Sequence, residues 1–134
     1  MYNTVEHAAM VELLVEDVDI DALFAETLLA LRDALSDANG ETAVTHEVSL
    51  RSGDLSGLLV EWVNELIRLA EEDGFVPERI DKEWLDETSL RARVAGERGV
   101  PPAEIRDLSC RSVGLHQLDD GAWAARIKLD TARG

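Results

Sequence analysis

The chain has 134 residues, 46% of them hydrophobic, which is enough for an ordered core in one domain spanning 1–134 and excludes a charged, disordered tail. Thirteen basic against twenty-eight acidic side chains give a formal charge of −15, which repels a phosphate backbone at long range and disfavours direct, sequence-independent nucleic-acid binding. The only lysines are Lys82 and Lys128, no apolar run has the length of a membrane span, and a single cysteine, Cys110, excludes an internal disulfide framework, so a cytoplasmic protein is expected.

Residues 10–16, MVELLVE, read as a short strand of mixed phase. A helix follows from about Ile20 to Leu35, capped by Asp19, with Leu23, Phe24, Thr27, Leu28, Leu31 and Leu35 on its covered face. Asn39-Gly40 marks a turn. Val44, His46, Val48 and Leu50 then alternate with Thr45, Glu47 and Ser49, the period of a strand with one covered face.

The strongest pattern is DLSGLLVEWVNELIRLAEEDGF at 54–75. Leu55, Leu58, Leu59, Trp62, Val63, Leu66 and Ile67 share one face of a helix, with Asp54 as its cap and Gly74 as the left-handed residue beyond its last turn. Segments 79–84 and 89–95 read as strands, the second with Leu90, Ala92 and Val94 inward and Arg91 and Arg93 outward. Gly96 to Pro102 is expected to be a loop. A closing hairpin runs from near Cys110, Val113 and Leu115 through Asp119-Asp120-Gly121 to the alternating Trp123, Ala125, Ile127 and Leu129. One-faced helices and one-faced strands together predict an α+β fold, a compact two-layer sandwich of mostly antiparallel sheet covered by two amphipathic helices.

Signatures of common nucleotide, redox and hydrolase chemistry are absent. His46 is on the covered phase of its strand and reads as a hydrogen-bonded core or edge histidine, and His116 as a hairpin surface residue. His7 is open between solvent and a site. Cys110 reads as a buried thiol. The acids at Glu16-Asp17, Asp19/Asp21 and Glu71-Glu72-Asp73 read first as helix-end and surface groups, and as cation ligands only if they converge. Asp130 closes the last strand on its polar phase, where a carboxylate can meet another strand end.

Glu6-His7, DIDALF at 19–24, the 54–75 segment and GAWAARIKLD at 121–130 together resemble the archease family over nearly the whole chain. The resemblance implies a compact α/β fold and a non-enzymatic accessory role. Its partner would be an RtcB-type RNA ligase, whose guanylylation and turnover archeases support in tRNA splicing or repair. It also implies a divalent metal site (calcium, magnesium or manganese). The family run His-Thr-Ala-Asp falls on His7-Ala8-Ala9-Met10, so Met10 occupies the position of a metal-site aspartate. The second family carboxylate falls on Asp130, with the Thr131 carbonyl beside it, and a family Tyr-His pair falls on Ser112-Val113. Glu12, two residues beyond Met10, or an acid from 16–21 is the candidate substitute ligand. Two roles stay open: a ligase activator, or a non-catalytic interaction protein that keeps the fold while metal binding is weakened or lost.

Overall fold

The computed structural model describes residues 2–7, 10–34, 39–100 and 109–130. In chain order they form β1 (Tyr2–His7), β2 (Met10–Asp17), α1 (Ile20–Ala34), β3 (Asn39–Arg51), α2 (Leu55–Asp73), β4 (Phe75–Leu85), β5 (Ser89–Val100), β6 (Ser109–Gln117) and β7 (Trp123–Asp130). The expected α+β architecture is present: two helices pack on antiparallel sheet. The strands divide into one sheet of order β1-β2-β7-β6 and another of order β3-β5-β4, and both helices touch both sheets.

α2 forms for the reasons its sequence advertises. The Asp54 carboxylate accepts the Gly57 amide at 2.7 Å, and Gly74, at φ 64°, donates its amide back to Ala70 and Leu69 carbonyls. Leu58, Leu59, Trp62, Val63, Leu66 and Ile67 are buried and Leu55 is partly so. In α1 the Asp19 carboxylate accepts the Ala22 amide at 2.7 Å, and Leu23, Phe24, Thr27, Leu28 and Leu31 are buried. The Thr27 hydroxyl avoids an unsatisfied burial by donating to the Leu23 carbonyl at 2.8 Å. Leu35 lies outside the described residues.

Trp62 ties the helices together. Its ring is fully buried, 6.5 Å from the Phe24 ring, and its indole N–H donates to the Phe24 carbonyl at 3.0 Å. The inner positions Leu13 and Val15 of β2 and Ala125, Ile127 and Leu129 of β7 complete this core with Val48, Leu90, Ala92 and Val94 of the other sheet.

One strand is additional to those expected, and two expectations are corrected. Tyr2–His7 is a strand, antiparallel to β2, so His7 stands opposite Met10 inside a hairpin. Asn39-Gly40 is no turn, and Gly96–Val100 is no loop: β3 and β5 stay paired from Arg51↔Ser89 out to Asn39↔Val100. Gly96 serves the ladder, because a Cβ there would collide with the Val76 carbonyl oxygen of the neighbouring strand. Pro101 and Pro102 lie outside the described residues. β4 also starts earlier than expected, directly after the Gly74 cap, and tolerates Pro77 because it is an edge strand.

A slip of register between Ile80 and Lys82 has wider consequences. Ile80 stands opposite the buried Val94, but after the slip Glu83 stands opposite buried Ala92 and Trp84 opposite exposed Arg91. One extra residue therefore turns a carboxylate inward and an indole outward.

Trp62→Ala is expected to cost about 3–5 kcal/mol by leaving a cavity, and Trp62→Phe less, since the Phe24 carbonyl loses the indole donor but keeps its partner within α1. Urea unfolding of the two variants, with midpoints and slopes compared to the parent, checks the order.

Candidate functional site

The order β1-β2-β7-β6 brings the ends of four strands into one row: His7 pairs with Met10, Met10 with Asp130, and Asp130 with Ser109. Directly opposed Cα atoms in such a ladder are about 4.5–5.5 Å apart. The row is consistent with the burial of Leu13, Val15, Ile127 and Leu129, because a one-residue slip of β2 against β7 would turn apolar groups outward. Glu12, Lys128, Arg126 and Asp130 belong to the opposite, outward parity.

The Asp130 side chain is 41% exposed, and its Oδ1 is 3.6 Å from Nη1 of Arg111. Arg111 reaches it because β6 slips register between Cys110 and Ser112, leaving Arg111 without a cross-strand partner. Glu12 is 13% exposed and sits 3.4 Å from the Arg126 guanidinium. Ser112 faces out opposite Lys128, whereas Val113 is half-buried opposite Ile127. Thr131 lies outside the described residues. Among the described residues no three of His, Cys, Asp or Glu are grouped closely enough to hold a metal ion. The acids at 16–21 are engaged locally: Asp17 accepts the Val18 amide at 2.8 Å, Asp19 caps α1, and Asp21 lies in the first turn of α1, where its charge suits the helix dipole.

The remaining reactive residues are structural. Nε2 of His46 is 2.9 Å from Asp73 Oδ2, and its ring meets Phe75 edge-on at 4.6 Å, as expected for a hydrogen-bonded edge histidine. The Arg98 guanidinium, 3.1 Å away, and then His46 hold the Asp73 carboxyl below its usual range. His116 is exposed. Burial pushes the Cys110 thiol up to about 11, so it is protonated and unreactive at neutral pH. Its amide is held by Asn64 Oδ1 at 3.0 Å, which docks β6 on α2. Among the described residues the arrangement offers neither an activated nucleophile nor a matched acid and base.

The "Archease protein family (MTH1598/TM1083)" matches residues 2–130. The chain belongs to the archease family. Protein archease of Methanosarcina acetivorans is 32% identical and that of Methanosarcina mazei 30%, each comparison covering 96% of this chain and 94% of the relative. The solution structure of protein 1598 from Methanobacterium thermoautotrophicum superposes with a TM-score of 0.64 at 17% identity, covering 96% of this chain and 97% of the other. The crystal structure of an archease from Thermotoga maritima gives 0.52 at 14% identity, covering 98% and 96%. Both likenesses concern the fold.

Within this archease fold Glu83, like Arg111, carries no signal in the sequence of where its side chain lies. Glu83 has a buried Oε2 without a hydrogen-bond partner, and burial, then Asp21, then Asp19 push its carboxyl up to about 7. β4 slips twice, between Pro77 and Arg79 and between Ile80 and Lys82, so alternation counted from Ile80 places Glu83 outward and the second slip returns it to the inward phase of Phe75 and Pro77. No sequence signal announces that slip.

The folded chain thus keeps a proton on Glu83 that the unfolded chain releases. Its contribution to stability is complete below about 4.5 and is lost as pH rises through about 7. Glu83→Gln is expected to flatten that decline, measured as the change in urea midpoint across this pH window.

Proposed function

We propose that this chain is a non-catalytic archease-family accessory protein that works by binding a protein partner through the whole 1–134 domain, with metal binding weakened or lost. The observation that carries this reading is the pairing of Met10 with Asp130. An aspartate at position 10 would stand directly across from Asp130, whereas a methionine thioether is a poor ligand for calcium, magnesium or manganese. Asp130 itself is half-exposed and shares its charge with Arg111. Glu12, the candidate substitute ligand, is committed to Arg126. The residues present therefore fit a hard divalent ion poorly, and no step of the function is routed through one.

Family membership supports an RtcB-type RNA ligase as the partner, with the ligase performing guanylylation and joining. The net charge of −15 suits an encounter with a basic ligase surface, which speeds association more than it strengthens the complex. A cytoplasmic setting agrees with the single cysteine and with the absence, among the described residues, of any helix long and apolar enough to cross a membrane.

The test combines the purified chain with its cognate ligase and follows both complex formation and the rate of GTP-dependent guanylylation. A stable complex is expected, with any stimulation unchanged when calcium or manganese is added beyond the ligase's own need. Absence of a complex together with an unchanged guanylylation rate overturns the ligase as partner. Stimulation that depends on added metal and disappears in Asp130→Ala overturns the loss of metal binding.

A further inference from the structure

The outer face of the β3-β5-β4 sheet differs in charge from the rest of the molecule. Its rows are Glu47–Arg93–Lys82 and Ser49–Arg91–Trp84, followed by Arg51–Ser89. Trp84 is 59% exposed, and the other large exposed apolar side chains among the described residues, Val5 and Val18, belong to other parts of the fold. Arg93 is paired with Glu47 at 2.7 Å, whereas Arg51, Arg91 and Lys82 form no ion pair among the described residues. Two hollows flank the indole. One of about 440 Å³ is bounded by Lys82, Arg91 and Arg93 together with Glu47 and Glu83, and one of about 610 Å³ by Arg51 and Arg91 together with Asp86, with Trp84 in the wall of both.

From this juxtaposition we propose that the face binds single-stranded nucleic acid, a base stacking on Trp84 and the adjoining phosphates lying on Arg51, Arg91 and Lys82. An exposed aromatic ring flanked by cations is what sequence-tolerant single-strand binding requires. A protein interface needs an exposed apolar centre ringed by polar groups, but on this face Trp84 is the one exposed large apolar side chain, and Leu50, Leu90 and Ala92, which also line the hollows, are half-buried or buried. A second copy of a chain carrying −15 brings like charge toward the first. That same net charge, averaged over the molecule, disfavours binding at long range. At about 0.1 M salt, however, charges beyond roughly 10 Å are screened, and a strand lying on this face responds to its local cations. The face is on the other sheet from the Met10–Asp130 row, so it stands or falls independently of the ligase reading.

Fluorescence anisotropy of a fluorescein-labelled oligoadenylate of eight nucleotides, titrated with the full chain at about 0.1 M salt, tests it. Saturable binding is expected, weakened roughly 5- to 150-fold by Trp84→Ala, the range set by base–aromatic stacking. Trp84→Phe should retain most of the affinity, and the double variant Arg51→Glu/Arg91→Glu should abolish it. All these side chains are exposed, and unchanged circular dichroism and melting confirm that each variant folds. The proposal is overturned by absence of saturable binding, by Trp84→Ala binding like the parent, or by equal competition from polyglutamate of matched charge. It is equally overturned if sedimentation shows self-association that Trp84→Ala abolishes.

Discussion

The register of β2 against β7 is the constraint on which the functional reading depends. Leu13 and Val15 on one strand, and Ala125, Ile127 and Leu129 on the other, are almost completely withdrawn from solvent. Sliding either strand by one residue would expose that whole set and bury Glu12, Arg126 and Lys128 in its place. The apolar core therefore excludes the one-residue slips that would break the observed pairing of residue 10 with residue 130. What stands at residue 10 is then a matter of chemistry alone, and the fold does not change whether it is an acid or a thioether. This separates two things that a family resemblance tends to merge: the scaffold, which is retained, and the ligand set, whose loss is our proposal.

The second sheet shows the opposite case, in which a local irregularity rather than a continuous register creates the chemistry. The second of two slips in β4, at Asp81, turns the Glu83 carboxyl inward, within electrostatic reach of Asp21 and Asp19, and leaves the Trp84 indole in solvent. The buried acid weakens the core above neutral pH. The displaced indole joins the cations of β3 and β5 on an outward face whose local charge has the opposite sign to that of the molecule. A net charge is a sum over all faces, and alternation along strands sorts charges onto faces before any partner meets them.

Much of the fold was legible in the residues. Trp62 and its helical neighbours announced a buried stripe, Asp54 and Gly74 announced its ends, and the last strand's alternation from Trp123 to Leu129 announced its inner face. These signals are local, and local capping and periodicity are set by the chain itself. Tyr2–His7 escaped notice because its sequence, YNTVEH, has no apolar alternation and is held as a strand by β2 alone. Asn39-Gly40 and Gly96–Val100 carry turn residues, yet the long β3–β5 pairing overrides them, since a glycine is also what a close strand crossing requires. At the candidate site, Asp130 stood out by its position at the end of its strand, and Met10 only through the family resemblance. Arg111 did not, because it reaches Asp130 only through a slip of register in β6.

Calorimetric titration with calcium and manganese, comparing the native chain with Met10→Asp, tests the separation of scaffold from ligand set most directly. The account predicts no stoichiometric uptake by the native chain. It predicts that Met10→Asp gains a saturable site, which Asp130→Ala then removes. Stoichiometric binding by the native chain that is lost on Asp130→Ala alone would contradict it, because the strand ends would then hold a metal without the missing aspartate.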